Sequence, residues 1–244
     1  MSRLRRDQDA FGQEIAAIVD DPDTMEIIER DDGRIDAYSA AYTLSPLRGW
    51  QPIERRALRY VTGRVLDVGT GAGRVALELQ KRRHAVVAID NSPLAIATAK
   101  RRGVKDARVI ALADVGRRLG TFDSIVMYGN NFGLVGTPRR AHRILRTLAA
   151  MTSPNARILA QTIDPYTSKD SAHVAYRARN RRLGRPPGQL RVRARFGTAA
   201  TPWFDLLLVS PDEMRGIAED AGWRVKTVLK GGHVYIGVLE KRNG

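Results

Sequence analysis

Short apolar runs alternate with longer amphipathic segments through the middle of the chain. The runs occupy residues 64–68, 85–89, 107–111, 122–128 and 157–163. Runs of this length are typical of strands that are buried on both faces of a parallel sheet. The segments between them have helical length and periodicity. The region therefore predicts an α/β fold with helices on both faces of a sheet.

The ends of the predicted helices carry capping signals. Ser92 is placed as an N-cap, Pro93 occupies the first helical position, and Gly103 follows the last. Ser210 begins a later helix, with Glu213 at the position that a capping box requires. These signals do not depend on the apolar pattern, and they support the same element boundaries.

Two further strands are predicted near the end of the chain, at residues 223–229 and 233–240. Gly231 and Gly232 separate them, and a turn this short joins antiparallel strands. We therefore expect a Rossmann-like, doubly wound sheet of seven strands in which the last strand is antiparallel.

The segments outside this alternation have a different pattern. Residues 1–57 show helical periodicity and predict a helical N-terminal cap. After the fifth strand, residues 164–188 predict a loop and a basic helix, and residues 189–196 and 203–209 predict a hairpin. We expect one domain over residues 1–244, with a cap at 1–57, a core at 58–163 and 210–244, and an insertion at 164–209.

The first strand of the alternating region leads into a glycine loop, Asp67-Val68-Gly69-Thr70-Gly71-Ala72-Gly73. Glycine permits sharp turns and the close approach of a ligand, and the start of the next helix offers free N–H groups. The dinucleotide fingerprint G-x-G-x-x-G needs its third glycine where Arg74 stands. The loop therefore does not favour a nicotinamide dinucleotide.

Three acidic residues, Asp67, Asp90 and Asp114, lie at or just after the ends of the first three strands. Ligands of open α/β sheets bind beyond the carboxyl ends of the strands. Together with the glycine loop, these positions resemble the motifs of the class I S-adenosyl-L-methionine (SAM)-dependent methyltransferases, over residues 58–163 and 210–244. The resemblance implies SAM as the cofactor.

The resemblance also implies individual roles. Asp67 would help to position the amino group of SAM, Asp90 would accept hydrogen bonds from the ribose hydroxyls, and Asp114 would meet the adenine amino group. Taken singly, each acid could instead cap a helix, and each glycine could simply form a turn. The expected cofactor-binding residues are Asp67, Gly69, Thr70, Gly71, Gly73, Asp90, Asn91, Asp114, Val115, Tyr128, Gly129 and Asn130.

The segment after the fourth strand, Tyr128-Gly129-Asn130-Asn131-Phe132, resembles the G-N-x-F segment of small-molecule methyltransferases of the glycine N-methyltransferase kind. It differs from the N-P-P-Y motif of enzymes that methylate exocyclic amines or glutamine side chains. By resemblance, its backbone would face the methionine end of SAM. The alternative is a plain turn, since asparagine tolerates the left-handed conformation.

A general base is needed only if the methyl acceptor arrives protonated. His233 follows the glycine turn and should lie beside Asp164 and Tyr166, and the ordinary pKa of histidine suits proton transfer near neutrality. His233 could instead only cap the turn. Tyr128, Tyr166 and His173 are further candidates for a catalytic role. No compact cluster of His, Asp and Glu predicts a metal near the fourth or fifth strand.

Residues on the acceptor side come from the cap and the insertion. Residues 171–204 contain eight arginines and no acidic residue, and the alternating Arg191, Arg193 and Arg195 share one face of a predicted strand. That face could clamp a carboxylate or phosphate, follow an RNA backbone or lie in solvent. The expected acceptor-binding residues are Tyr38, Tyr42, Asn131, Arg191 and Arg193, and the aromatic side chains of Trp50, Trp203 and Phe204 could wall the site or belong to the core.

Bulk composition adds one unusual property, a net charge of +15. It could reflect an RNA partner or arginine scattered over solvated faces. The chain has no cysteine and no apolar run of membrane-spanning length, and its charged N-terminus lacks a signal-peptide core. We expect a cytoplasmic protein without a membrane partner. The oligomeric state stays open.

The sequence therefore predicts a SAM-dependent methyltransferase that modifies an O or N atom of a small molecule, and the arginines suggest an anionic one. Two alternatives stay open. The first is an RNA methyltransferase that uses the arginine-rich insertion, and the second is a SAM-binding protein without catalysis.

Overall fold

The computed structural model describes residues 4–242. The prediction about a signal peptide rests in part on residues 1–3, which lie outside this range. The strands are β1 (Met25–Arg30), β2 (Ile35–Ser39), β3 (Val65–Val68), β4 (Val86–Asp90), β5 (Ala107–Val109), β6 (Phe122–Met127), β7 (Thr152–Ile163), β8 (Gln189–Phe196), β9 (Ala199–Ala200), β10 (Phe204–Leu207), β11 (Trp223–Gly231) and β12 (Val234–Lys241). The α-helices are α1 (Ala10–Ala17), α2 (Pro52–Ala57), α3 (Arg74–Lys81), α4 (Pro93–Arg101), α5 (Pro138–Ala150), α6 (Ser171–Arg182) and α7 (Pro211–Glu219).

Seven strands form the central sheet, in the order β11-β12-β7-β6-β3-β4-β5. Strands β3 to β7 pair in parallel, and β12 is antiparallel to both of its neighbours. The predicted sheet, with only its last strand reversed, is confirmed. The parallel strands end at one edge, so the loops that follow them come together there.

Helices cover both faces of this sheet, which explains why its strands are continuously apolar. Along β3, Leu66 packs into the buried cluster on one face and Val65 into the cluster on the other face. Successive side chains of a strand point to opposite faces, so a strand with helices on both sides needs apolar residues at every position.

The expectation that residues 1–57 are purely helical is wrong for residues 25–39. Strands β1 and β2 form a hairpin there, and Gly33 in its turn adopts φ +88°. Strand β1 also pairs with β8, more than 150 residues away in the sequence. Local periodicity cannot show such a pairing, since the partner that stabilises the strand lies elsewhere in the chain.

The cap and the insertion therefore build one sheet together. Its order is β10-β8-β1-β2, with the short β9 paired to β8, and the predicted hairpin is present as β8 and β10. We call these five strands the cover sheet. One face of the cover sheet carries the even-numbered residues of β1, β2, β8 and β10. This inner face lies opposite the carboxyl edge of the central sheet, with a cavity between them.

Helix α1 joins the cover sheet to the central sheet. The buried Asp9 carboxylate accepts hydrogen bonds from the backbone N–H of Gly12 in α1 and of Leu94 in α4, both at 3.1 Å. One side chain thus caps two helix starts, and buried backbone donors need such partners. Among residues 4–242, no helix combines the length and the hydrophobicity that a membrane crossing requires.

Candidate active site

A cavity of about 920 Å³ lies between the carboxyl edge of the central sheet and the cover sheet. The loops after β3, β4, β6 and β7 form its floor. Residues of α1 and the inner face of the cover sheet form its roof. Residues that are far apart in the sequence, such as Gly71, Asn130, Val192 and His233, therefore line one space.

The glycine loop is held open by polar contacts from neighbouring loops. Asn131 Nδ2 donates hydrogen bonds to the carbonyl oxygens of Val68 and Gly69, both at 2.9 Å. Gly71 N–H donates to Asp90 Oδ2 at 3.0 Å. Gly69 has φ +67°, and a Cβ atom there would collide with the Asn131 amide. Glycine at this position is therefore required by the turn.

Asp90 lies at the end of β4 and lines the cavity. Its Oδ1 atom accepts a hydrogen bond from Ser92 N–H at 2.9 Å, and burial raises the pKa of its carboxyl. Two backbone donors thus orient the carboxylate, which has further lone pairs to offer a ligand. Asn91 beside it also lines the cavity.

Asp114 and Val115 line a second hollow, of about 870 Å³, rather than the main cavity. Asn91, Ile110 and Ala111 border both spaces, so the two adjoin at the ends of β4 and β5. Asp90, Asn91 and Asp114 are therefore brought together along one edge of the sheet. The roles that the resemblance implies for them, at the ribose and the adenine, remain predictions.

Asp67, Thr70 and Gly73 are not among the residues that line the cavity. Asp67 is buried and accepts a hydrogen bond from Thr70 Oγ1 at 2.6 Å. Burial raises the pKa of its carboxyl to about 6. A Cβ atom on Gly73 would lie 2.5 Å from Val104 Cγ2 and 3.3 Å from Ala99 Cβ, so this glycine is needed where the start of α3 packs against α4 and the loop after it. All three residues shape the loop from behind.

We expect Gly73→Ala to lower the free energy of unfolding by about 3 kcal/mol, because it combines overpacking with a left-handed backbone at φ +82°. Gly129→Ala is the matched control. Gly129 has φ +68° but open space where a Cβ atom would lie, so its cost should be about 1 kcal/mol. Urea denaturation of both variants measures the difference. Equal losses would contradict the packing role of Gly73.

The turn after β6 supplies the other wall of the cofactor end. Gly129 N–H donates to Gln161 Oε1 at 2.7 Å, and Asn130 adopts φ +66°. The Oδ1 atom of Asn130 is buried and has no hydrogen-bond donor within residues 4–242. Buried acceptors are normally satisfied, and the amino group of SAM is a donor that could meet this need. The residues present therefore fit the cofactor.

Three of the predicted tyrosines lie away from the cavity. Tyr128 is buried against Trp50, and its hydroxyl donates to the Glu54 carbonyl at 3.1 Å. Tyr42 donates to the Glu54 carboxylate. Tyr166 donates to Glu213 Oε1 at 2.6 Å, and burial together with this bond raises its pKa to about 12. Side-chain direction, which the sequence does not reveal, places all three outside the cavity wall.

Tyr38 and His233 do line the cavity. Tyr38 lies on the inner face of β2. His233 lies at the exposed rim, after the Gly231–Gly232 turn, and its carbonyl accepts a hydrogen bond from Asp164 N–H at 2.9 Å. The predicted neighbourhood of His233 and Asp164 is therefore present, whereas Tyr166 turns away.

Arg191 and Arg193 do not face the cavity. On β8 the inward residues are Leu190 and Val192, so the alternating arginines project from the opposite face. There Arg193 pairs with Glu29 at 2.8 Å, and Arg191 lies 3.6 Å from Asp205. Strand periodicity thus places both arginines on the outside, away from the cavity in which we expected them to contact an acceptor.

The cavity residues of β1, above all Glu26, were not among the predicted site residues. A hairpin signal was present, since Asp32 and Gly33 separate two short segments that contain apolar residues. Glu26 lines the cavity, and Glu14 of α1 lies near it. Glu14 is only 3% exposed. Burial, with a smaller contribution from the Glu26 charge, raises the pKa of Glu14 to about 8.

We expect this carboxyl to make stability depend on pH. An acid with a raised pKa in the folded state favours folding when protonated, so its contribution is lost as the pH rises from about 4.5 to about 8. At about 1.4 kcal/mol per pH unit below the raised pKa, Glu14→Gln should remove on the order of 4 kcal/mol of this decline between pH 5 and pH 8. Urea denaturation at intervals from pH 5 to pH 8 tests it. Parallel pH profiles of wild type and variant would refute the assignment.

Comparisons with known proteins agree with this geometry. Residues 65–155 match a family model described as a methyltransferase domain, and no curated protein matches the chain. A SAM-dependent methyltransferase from Bacteroides fragilis, solved with S-adenosyl-L-homocysteine, is 27% identical to the chain. The similarity covers 99% of this chain and 98% of that one, with a TM-score of 0.83.

Two more distant structures share the fold. The CcbJ methyltransferase from Streptomyces caelestis is 12% identical, covers 97% of this chain and 99% of its own, and has a TM-score of 0.64. A SAM-dependent methyltransferase from Methanosarcina mazei is 17% identical, covers 80% and 99%, and has a TM-score of 0.61. The family match, which includes the glycine loop, and the likeness over nearly the whole length of the Bacteroides enzyme lead to one conclusion: the chain contains a methyltransferase domain and is a SAM-dependent methyltransferase.

Proposed function

We propose that this enzyme transfers a methyl group from SAM to an O or N atom of a small molecule held under the cover sheet. The observation that carries the proposal is the single cavity shared by the two halves of the molecule. Gly69, Gly71 and Asp90 line it from the central sheet, and Ile28 and Val192 line it from the cover sheet. Cofactor and acceptor would therefore meet in one partly closed space.

The cofactor half is assigned from the residues that border the cavity and its adjoining hollow. Asp90 would hold the ribose hydroxyls, Asp114 would lie near the adenine, and Asn130 would accept a hydrogen bond from the amino group. When bound, SAM supplies an electrophilic methyl group on a sulfonium. The protein contributes orientation and a partly dry environment.

The acceptor half is mostly apolar. Ile28, Tyr38, Val192, Phe204 and Leu206 project into it from the cover sheet. Such walls exclude water and leave orientation to a few polar groups. We propose His233 as the base for an acceptor that arrives protonated, since it lines the same cavity. Among residues 4–242, no group of three or more metal-ligating side chains is present.

A small molecule is favoured over RNA because the cover sheet lies across the carboxyl edge of the central sheet. The arginines on its outer face are paired with Glu29 and Asp205, which lowers the charge they can offer to a polyanion. The same orientation removes the reason for expecting an anionic acceptor, since the arginines do not reach the cavity.

A thermal-shift titration tests the cofactor step. Saturation with SAM at about 100 times its Kd adds about 2.7 kcal/mol to stability, which should raise Tm by about 5–10 °C. Incubation with SAM and a fractionated small-molecule extract should then release S-adenosyl-L-homocysteine. No stabilisation by SAM would contradict the proposal.

The two alternative functions predict different results in RNA binding and in product formation. An RNA methyltransferase should bind RNA with an affinity that falls steeply as salt rises, because counterions are released. A binding protein without catalysis should be stabilised by SAM and yet yield no S-adenosyl-L-homocysteine with any extract or RNA.

A further inference from the structure

We propose that the acceptor carries an ammonium group, and that Glu26, backed by Glu14, is the site that binds it. The inference rests on the proposed function, because it assigns part of the same cavity. It starts from the charged side chains on the inner face of the cover sheet, most of which already have partners of opposite charge.

Arg30 and Asp36 are the paired charges of that face. Arg30 makes a two-point contact with Asp32, at 2.8 and 2.7 Å. Asp36 accepts two hydrogen bonds from Arg34 Nε at 2.9 Å. Arg34 also contacts Asp170 at 3.1 Å. Arg30 and Asp36 each have a partner of opposite charge at hydrogen-bond distance, which distinguishes them from Glu26.

His173 lines the cavity near Arg30 and adds no positive charge. Its Nδ1 atom lies 3.0 Å from Arg30 Nη1. Because a guanidinium can only donate hydrogen bonds, Nδ1 must be the acceptor, and the ring must be neutral. Partial burial and the nearby charges of Arg34 and Arg30 lower the pKa of His173, which agrees with this state.

Glu26 is the charged residue of the inner face without a partner. Within the described part of the chain, no donor lies at hydrogen-bond distance from its carboxylate, and no basic group forms an ion pair with it. Burial raises its pKa. A half-buried carboxylate is costly unless it is protonated or meets a cation.

Glu14 adds a second carboxyl beside it. Glu14 lies on α1 and is nearly fully buried, and no donor or basic group among residues 4–242 contacts it. Two neighbouring carboxyl groups repel each other when both are ionised. A cation at Glu26 would relieve this repulsion, whereas an anion would increase it. The pair therefore selects for positive charge.

The surroundings of Glu26 describe the rest of the ligand. Tyr38 is its cross-strand neighbour, and Phe11 and Ile15 of α1 line the cavity on the same side. Arg30 lies four residues further along β1, about 13 Å away. The site therefore suits an ammonium group attached to an apolar or aromatic body.

The test uses protein saturated with S-adenosyl-L-homocysteine and three probes of one shape. These are tyramine, which carries an ammonium, 4-ethylphenol, which is uncharged, and 3-(4-hydroxyphenyl)propionate, which is anionic. Calorimetry should show that the protein binds tyramine about tenfold or more tightly than either of the others. Glu26→Gln should abolish this preference.

Glu29→Gln is the matched control, since Glu29 lies on the same strand and projects from the outer face. It should leave the preference for tyramine intact. A preference that is absent from the wild type, or that survives in Glu26→Gln, overturns the proposal.

A cofactor measurement identifies the source of the ammonium. S-adenosyl-L-homocysteine carries an α-ammonium group on its homocysteine part, and 5′-methylthioadenosine lacks that part of the molecule. If Glu26 serves the acceptor, Glu26→Gln should bind both compounds as the wild type does. A selective loss of affinity for S-adenosyl-L-homocysteine would mean that Glu26 binds the cofactor, and the acceptor site would be refuted. Failure of the wild type to bind either compound would instead count against the proposed function.

Discussion

Asp90→Ala is expected to weaken the binding of S-adenosyl-L-homocysteine by about 100-fold or more. A charged carboxylate that accepts two hydroxyl hydrogen bonds contributes about 1.5–3 kcal/mol for each, and each 1.4 kcal/mol is about tenfold in Kd. Asp90 is held in place by the N–H groups of Gly71 and Ser92. The carboxylate is therefore oriented before a ligand arrives. Calorimetry on the purified variant measures the loss.

The same substitution also removes two hydrogen bonds of the glycine loop, so the direct contact must be separated from a change in loop shape. We would compare 5′-methylthioadenosine with its 2′,3′-dideoxy analogue. The wild type should prefer the ribose form, and Asp90→Ala should bind both equally. Asp106→Ala, at the opposite edge of the sheet before β5, should behave as the wild type. Unchanged affinity of Asp90→Ala would remove Asp90 from the ribose role.

Arg74→Met should lower the free energy of unfolding by about 3–5 kcal/mol, the usual loss when one partner of a buried ion pair is removed. Arg74 makes a two-point contact with Glu54 at 3.0 and 3.1 Å, and Glu54 is fully buried. The guanidinium also stacks between the rings of Tyr42 and Trp50, at 4.5 and 4.4 Å from their centroids. Urea denaturation measures the loss.

The surface pair of Arg108 and Asp106 gives a matched control, because its two contacts are as short, at 2.7 and 2.8 Å, but both side chains are about 40% exposed. Arg108→Met should cost at most about 1 kcal/mol. Replacing Arg74 and Glu54 together by Met and Leu should cost less than Arg74→Met alone, since no unpaired charge is then buried. A double loss that equals the sum of the single losses would argue against a coupled pair.

The contact with Glu54 gives Arg74 a structural role. In the dinucleotide fingerprint this position is occupied by a glycine. Its side chain reaches back to α2 and ties the segment before β3 to the first residue of α3. The glycine loop is therefore held on one side by Glu54 and Arg74, and on the other side by Asn131 and Asp90. Its geometry depends on residues from four separate elements.

The central sheet could be predicted almost completely from the sequence. Each strand from β3 to β7 is an apolar run, and each capping residue, such as Ser92 and Ser210, contacts the backbone it was expected to contact. These signals are local, since hydrophobic periodicity and caps depend on residues within one helical turn or one strand. Asp90 and the glycine loop could be placed for the same reason.

The cover sheet could be predicted only in part, since the hairpin of β8 and β10 was expected but β1 and β2 were not. Strand β1 is stabilised by its pairing with the distant β8, which no local pattern around β1 reveals. The sequence also does not show which way a side chain points in the folded chain. The sequence shows that Arg191 and Arg193 share one face, but not which face meets the cavity.

The chain by itself thus determined the methyltransferase core, the glycine loop and the acidic strand ends, because all of these follow from short-range patterning. The tertiary structure decided what closes the site. In the folded chain the side chains of Tyr128, Tyr42, Arg191 and Arg193 point away from the cavity, and Glu26 lines it. Pairing between distant strands and the burial of unpaired charge are properties of the assembled chain, and neither is present in any local window of the sequence.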